Sequence, residues 1–394
     1  MLGCAAPAAH AADRADLQST ELISRSLDGG IPNGPSTNAV ISNDRRWARV
    51  IAFESEASDI VAGDVNGTKD VFAVLRGAPM SNKGPVWRPR RTVLASRTVT
   101  GEPANGPSFS PAVGGGYKAK PRCVAFLSSA SNMVFGDTNG TVDAFVVGLR
   151  RLRPKRLTLP GRVQTTADVT GLAVSGDCKR VAFVTNGALY VQRGNRTRRM
   201  RAPGVAADPS FSTGLRNDLV FAADAGVYLS KKARSRPRLI APGGRNPAYN
   251  DIKRQVVAYE INHGGATQIA FRDLGRSERI ASHRRGSHGN GDSRDPVIGN
   301  SGYYITFESD ASNLGVNALA RAGDLNRNAD SYLYTNVRDI TLVQSVEEKA
   351  VPLPGGGHNP SMSFYANYIT FDSPAPLGGL NGAHQVFMRY LGPV

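Results

Sequence analysis

A short apolar block ending in an aromatic residue recurs along the chain. It reads Val50-Ile51-Ala52-Phe53, Val124-Ala125-Phe126, Val181-Ala182-Phe183, Leu219-Val220-Phe221, Val257-Ala258-Tyr259, Ile305-Thr306-Phe307 and Ile369-Thr370-Phe371. Blocks rich in β-branched and aromatic residues, usually preceded by a turn, predict buried strands. A second run follows each block, starting at Asp70, Asp143, Ala188, Gly226, Thr267, Asp330 and His384. These runs alternate apolar and less apolar residues, the period-two pattern of a half-buried strand. A third run follows most of them, from Arg91, Lys155, Thr197, Pro237, Ser277 and Ile340. Ahead of the blocks lie polar or proline-containing segments such as NGPSTNAVIS, NGPSFSPAV, ADPSFS, RNPAYN, RDPVIG and HNPSMSF, which read as a first strand.

Each unit thus predicts four antiparallel strands, too few to be stable alone. Such sheets gain stability when arranged radially, each burying its faces on its neighbours. The chain is expected to be all-β, a seven-bladed β-propeller, with a six-bladed ring as the alternative count. The last unit ends after its third strand, while a spare strand at residues 20–26 (TELISRS) precedes the first unit. This N-terminal strand is expected to complete the last blade and remove its open edge. Residues 20–394 then form one propeller and residues 1–19 a separate tail.

Three phrases run from the apolar block into the following strand: SxxxDxVAGDVNGTKDVF from Ser55, SSASNMVFGDTNGTVDAF from Ser128, and SDASNLG followed by GDLNRNADSYLY from Ser309. They are similar to the TolB-like, WD-like propeller repeats of secreted bacterial proteins. The resemblance spans roughly residues 20–394. It implies a propeller fold and an extracytoplasmic compartment: periplasmic, cell-surface or secreted. TolB's separate N-terminal α/β domain has no counterpart here, and seven units is one more than its propeller has. The Tol–Pal role therefore carries over weakly.

Composition agrees with this outline. Gly at 43 and Pro at 24 supply many turns, and 40% hydrophobic residues supply a core. No stretch reaches the roughly 18 apolar residues of a membrane helix. A formal charge of +16 favours polyanionic partners, against the plainer reading that arginine decorates solvated loops. The chain opens MLGCAAPAAHAAD, in which Ala9-His10-Ala11 resembles a signal-peptidase site and Leu2-Gly3-Cys4 the end of a lipoprotein box. No basic or apolar segment precedes them, so they read as the stub of an export signal or as a disordered tail. A lipid anchor at Cys4 is the one membrane attachment expected. Cys123 and Cys178 abut the blocks of the second and third units. They either pair, as an exported protein permits, or stay as two separate buried thiols.

Three further groups of residues carry candidate chemistry. Asp64-x-Asn66-Gly67-x-x-Asp70 and Asp137-x-Asn139-Gly140-x-x-Asp143 share one spacing, with Asp324-x-Asn326-x-Asn328-x-Asp330 a close variant. Oxygen ligands at alternate positions resemble the start of a calcium loop, which would make calcium the cofactor. The other reading is an Asx-turn that caps the hairpin with side-chain hydrogen bonds. Basic runs form the second group: Arg150, Arg151, Arg153, Lys155 and Arg156; then Arg193, Arg196, Arg198, Arg199 and Arg201; then Lys231, Lys232, Arg234, Arg236 and Arg238. Each lies between the third and fourth strands of its unit, on the rim opposite the Asp-Asn loops, where it suits a polyanion or is a solvated hairpin tip. His283 and His288 form the third group, in a Gly- and Arg-rich loop that reads as solvated unless geometry makes it a metal or catalytic pair.

No GxSxG, P-loop or dinucleotide fingerprint is present in the sequence. Without aromatic interleaving the basic runs do not suit single-stranded nucleic acid, and no specific nucleic-acid partner is expected. The expected function is a non-catalytic binding scaffold, a monomer that recognises an envelope protein or an anionic polymer. A propeller-type polysaccharide lyase or glycoside hydrolase, with acids or histidine at the channel, is the alternative.

Overall fold

The structure, a computed structural model, describes residues 19–45, 47–77, 87–214, 216–299, 302–315, 326–346, 353–374 and 382–392. Cys4 and Asp324 lie outside the described residues. Seven four-stranded antiparallel sheets make seven blades. Blade 1 holds Ser36–Ile41, Val50–Ser55, Asp70–Arg76 and Pro89–Leu94. Blade 2 holds Ser108–Val113, Cys123–Ser128, Asp143–Gly148 and Pro154–Arg156. Blade 3 holds Val169–Val174, Val181–Thr185, Ala188–Arg193 and Arg196–Arg199. Blade 4 holds Ala207–Phe211, Leu219–Ala223, Gly226–Ser230 and Arg238–Pro242. Blade 5 holds Arg245–Asn250, Val256–His263, Ala266–Asp273 and Arg279–Ile280. Blade 6 holds Ser293–Gly299, Tyr304–Ser309, Asp330–Thr335 and Ile340–Val343, and follows a small hairpin of His283–Arg284 with Ser287–His288. Blade 7 holds His358–Met362, Tyr368–Ser373 and Gln385–Tyr390, and takes Thr20–Leu22 as its fourth strand.

The recurring apolar block is the second strand of every blade, and all of its residues are buried. Its aromatic residue meets an aromatic on the third strand in six blades. The pairs are Phe53–Phe72, Phe126–Phe145, Phe183–Tyr190, Phe221–Tyr228, Phe307–Tyr332 and Phe371–Phe387, with ring centroids 5.4–6.0 Å apart. Such cross-strand pairs lock register and fill the space between blades. Blade 5 departs from the pattern: Tyr259 faces Ala270, and Phe271 reaches Tyr334 of blade 6 at 5.3 Å.

The N-terminal strand closes the ring. Thr20, Glu21 and Leu22 pair with Arg389, Met388 and Phe387. Just beyond them, the Ser24 hydroxyl donates to Gln385 Oε1 at 2.7 Å and accepts the Val386 N–H at 3.0 Å. In blade 1 the same two bonds join Ser96 to Asp70 at 2.5 Å and to the Val71 N–H at 2.9 Å. A residue from the start of the chain therefore does in blade 7 what a covalently continuous fourth strand does in blade 1.

Carboxylates latch consecutive blades. Acids at the end of the second strand accept a backbone N–H from the first strand of the next blade. Glu54 takes that of Ser110 at 2.8 Å, Glu260 that of Asp295 at 2.9 Å, Glu308 that of Asn359 at 2.9 Å, and Asp372 that of Asn38 at 3.0 Å. Blades 2 and 3 are joined instead by a disulfide between Cys123 and Cys178, whose Cα atoms are 6.0 Å apart. Gly114 makes room for it, since a Cβ there would sit 2.2 Å from Cys178 Sγ and 2.9 Å from Cys123 Sγ.

Candidate functional site

The seven first strands surround a central channel of about 480 Å³. Each first strand is interrupted by a bulge, where the register with the second strand shifts. In six blades the bulge holds a short polar residue with positive φ: Asn38, Ser110, Asp208, Asn246, Asp295 and Asn359. Proline follows five of these, as in Asp208-Pro209 and Asn359-Pro360. Asn, Asp and Ser tolerate this left-handed backbone better than larger residues do, and a bulge turns their side chains out of the ladder. The result is a polar crown around one mouth of the channel. Blade 3 departs from it with Thr170-Gly171.

Blade 2 closes the other end. Its turn Gly114-Gly115-Gly116-Tyr117 donates the Gly115 N–H to Gly176 O of blade 3 at 2.9 Å and the Tyr117 N–H to Thr213 O of blade 4 at 3.2 Å. Arg45 of blade 1 donates to Tyr117 O at 2.7 Å, and the Tyr117 ring lies 5.1 Å from Phe364 of blade 7. One turn that touches blades on both sides of its own, two places away in each direction, must cross the channel axis. The channel is a well with a floor.

The mouth is charged on the arc of blades 4 to 7. Burial raises the pKa of Asp208 and of Asp295. Glu308 is pushed up by burial, but the His358 imidazole, the Asn359 N–H and Arg294 outweigh this and hold it below the usual range. His358 is raised in turn by its bond to Glu308, 3.2 Å away. His384 lies 2.9 Å from Asp372, and Arg294 lies 2.6 Å from both Glu308 and Asp310. The latching acids of this arc are thus already spanned by backbone N–H groups, imidazoles and guanidiniums.

The Asp-Asn loops sit on the same rim as the crown. Asn66 turns its amide nitrogen to Asp70 Oδ2 at 2.6 Å and to Ala104 O at 2.9 Å, and its oxygen to the Thr68 N–H. Asn139 donates its amide nitrogen in the same way, to Asp143 at 3.3 Å and to Thr165 O at 3.0 Å. Asn326 donates to Leu353 O at 2.8 Å, and Asn328 donates to Pro354 O at 2.8 Å. Asp143 and Asp330 each accept a hydroxyl from the next segment, Thr165 and Ser345, at 2.6 Å. Arg156 reaches this rim as well, because its strand carries it away from the basic hairpins. It pairs with Asp137 at 2.7 Å and Asp143 at 3.5 Å. Leu94 holds the corresponding place opposite Phe72 in blade 1. There burial raises Asp64 and, together with the Asp64 charge, takes Asp70 to about 7. Among the described residues no three His, Cys, Asp or Glu side chains converge as a metal-ligand set.

The opposite rim carries the basic hairpins of blades 2, 3 and 4. Arg150, Arg151, Arg153, Arg196, Lys231, Lys232, Arg234 and Arg236 are exposed there, whereas Arg199, opposite Tyr190, holds in blade 3 the place that Arg156 holds in blade 2 and so lies away from the hairpin tip. Two neighbours of these residues link the hairpins. Lys155 of blade 2 donates to Gly194 O at 2.6 Å and Asn195 Oδ1 at 2.7 Å in blade 3. Arg198 of blade 3 donates to Arg234 O in blade 4 at 2.9 Å. Residues 148–156, 193–201 and 231–238 contain no acid. Burial lowers the pKa of Arg180, and the guanidiniums of Arg193 and Arg234 add to this against Asp177. A shallow recess of about 500 Å³ lies beside the disulfide, lined by Cys178, Lys179, Arg193, Gly194 and Arg196.

The small hairpin separates its two histidines. His283 is buried against Asp339 at 3.2 Å and the Tyr334 ring at 5.6 Å. His288 is exposed and meets the His263 ring edge-on at 4.4 Å. Sequence reasoning missed the crown and the floor. The repeated Asx-Pro and Ser-Pro dipeptides and the glycine run at 114–116 were their visible signals.

No family model and no curated protein sequence matches the chain. Solved structures do match. A Mycobacterium tuberculosis puromycin-hydrolyzing peptidase is 11% identical over 95% of this chain and 54% of its own, with a TM-score of 0.53. The β-propeller domain of the Trilobed protease from Pyrococcus furiosus is 8% identical over 90% of this chain and 97% of its own, with a TM-score of 0.52. TolB from Acinetobacter baumannii is 15% identical over 68% of this chain, with a TM-score of 0.43, and this chain spans 63% of its length. At such identities the likeness is one of fold: the chain is a β-propeller. The Pyrococcus domain has an open velcro topology, whereas here an N-terminal strand closes the ring.

Proposed function

We propose that this protein is a non-catalytic extracytoplasmic scaffold that binds an anionic polymer on the basic rim of blades 2 to 4. The observation that carries the reading is the tie between hairpins. Lys155 and Arg198 bond each hairpin to the next, so these eight exposed cations sit on one continuous ridge rather than on three loose tips. Hairpin runs rich in cations and without an acid of their own favour a partner that brings negative charge. Planar, multidentate Arg suits phosphate and carboxylate groups along a polymer.

Two further features support the compartment. A disulfide persists where the surroundings are oxidising, and the TolB-like repeat phrases belong to secreted proteins. Among the described residues no helix is long and apolar enough to cross a membrane. Binding rather than catalysis is favoured because the acids at the channel mouth are committed to latching blades.

Fluorescently labelled polyphosphate and poly-glutamate test the reading by anisotropy. The wild type should bind at least one of them. Neutralising Arg151, Arg196, Lys232 and Arg234 together should weaken binding at least ~tenfold without changing the melting temperature. Equal binding by wild type and variant, or capture only of an uncharged polymer or of a protein partner, would sink the proposal.

A further inference from the structure

Tyr249 Oη, Asp218 Oδ2 and Asp251 Oδ1 are buried side-chain oxygens without a hydrogen-bond partner. Their residues are 0%, 1% and 7% exposed. Buried polar atoms in folded proteins are nearly always satisfied, so three bare oxygens together call for an explanation.

They share one place, at the junction of blades 4 and 5 on the basic rim. Asp218 directly precedes the second strand of blade 4, Tyr249 lies on the first strand of blade 5, and Asp251 follows that strand. Burial raises the Tyr249 pKa, and the charges of Asp218 and Asp251 raise it further. Asp251 is raised by burial and by Asp218. Ser212 Oγ lies against Asp251, close enough to weigh on its pKa, without a well-formed hydrogen bond. The remaining carboxylate oxygens are pinned: Asp218 Oδ1 accepts the Lys232 N–H at 2.6 Å, and Asp251 Oδ2 accepts the Arg216 N–H at 3.0 Å.

The other blades show what is unusual here. In blades 1 and 3 a serine bonds an aspartate two residues later in its own turn: Ser42 to Asp44 and Ser175 to Asp177, both at 2.7 Å. In blade 4 the matching serine is Ser212, and the position two residues on is Gly214. A Cβ on Gly214 would lie 1.5 Å from Asp251 Oδ1. The glycine vacates the turn, and a carboxylate from blade 5 enters it. Two buried carboxylates then share one pocket; Arg216 and Arg238 act on it only through their charge, and among the described residues no lysine or arginine side chain bonds the free oxygens.

We propose that Asp218, Asp251, Tyr249 and Ser212 form a binding site for one hard divalent cation of the calcium class. An all-oxygen donor set with two carboxylates matches that chemistry, water and backbone carbonyls completing the shell. The site stands apart from the Asp-Asn loops. It also touches the basic hairpin of blade 4, because the Lys232 N–H holds Asp218.

Titration of the chelator-treated full chain with Ca²⁺ or Tb³⁺ alone tests the site. One equivalent should bind with a rise in melting temperature, and Tb³⁺ emission should be excited through tyrosine. Asp218→Asn and Asp251→Asn should each lower affinity at least ~tenfold. Tyr249→Phe should keep the fold, verified by circular dichroism, and lose most of the sensitised emission. Asp64→Asn, in an Asp-Asn loop, should leave the affinity unchanged. The proposal is overturned by no uptake of either ion, which would leave a trapped water or a shared proton in the pocket. Equal affinity in the aspartate variants, or loss of binding in Asp64→Asn, would overturn it as well.

Discussion

Gly114 shows how one missing side chain governs a covalent link. An added Cβ would press into both sulfurs of the Cys123–Cys178 bond. Because that bond closes a separation of 55 residues, its loss is expected to cost about 2–4 kcal/mol. Gly114→Ala should therefore bring the oxidised protein most of the way to the stability of the reduced wild type in urea denaturation. An unchanged gap between oxidised and reduced midpoints would refute the steric argument. Asp70 offers a pH test. Its folded pKa, about 7, lies above the ordinary 3.8, so the native state binds more protons than the unfolded state between these values. Stability then falls as pH rises through that window. Asp70→Asn should make the decline of melting temperature between pH 4 and 7 shallower. The motif around Asp70 was legible in the sequence as Asp-x-Asn-Gly-x-x-Asp, but its chemistry was not. What the aspartates meet is decided by Ser96, Thr165 and Arg156, which arrive from other strands.

The latch between blades 6 and 7 is the clearest test at the level of elements. Glu308 binds the Asn359 N–H, Arg294 and His358 while almost fully buried. Glu308→Gln should cost about 2–3 kcal/mol near pH 6, since it leaves a guanidinium and an imidazolium facing a neutral amide. The lowered Glu308 gives stability that is lost as pH falls through its folded pKa. The raised His358 gives stability that is lost as pH rises through its own, above 6.5. The cost of the substitution should thus be largest at mildly acidic pH and smaller at pH 8, as followed by urea denaturation. A pH-independent difference would contradict the imidazole's part. The strands themselves were legible throughout, because each second strand is an unbroken apolar block. The bulges were not. A left-handed residue inside a strand leaves only an Asx-Pro or Ser-Pro dipeptide in the sequence, which reads equally well as a turn.

At the scale of the molecule, closure by a distant strand gives blade 7 its fourth strand and makes seven marginal sheets into one ring whose remaining edges are short. Removing residues 1–24 strips blade 7 of Thr20–Leu22 and of the Ser24 bonds to Gln385 and Val386. The truncated chain should self-associate in size-exclusion chromatography and melt lower; a stable monomer would contradict the role given to that strand. The count of seven and the displaced strand were readable because the repeat is regular. The well, its floor and the oxygen pocket of blades 4 and 5 were not, since they arise where residues from non-neighbouring segments meet. The same ring gives the molecule two unlike faces, a crowned well on one side and a cationic ridge on the other. The most direct test of the ridge as the binding face is a hydrogen-exchange footprint with and without saturating polyphosphate. Protection should concentrate in residues 148–155, 193–198 and 231–238, and fade as salt is raised. Protection centred on the crown around Asn38, Asp208 and Asp295, or spread evenly over both faces, would contradict the account.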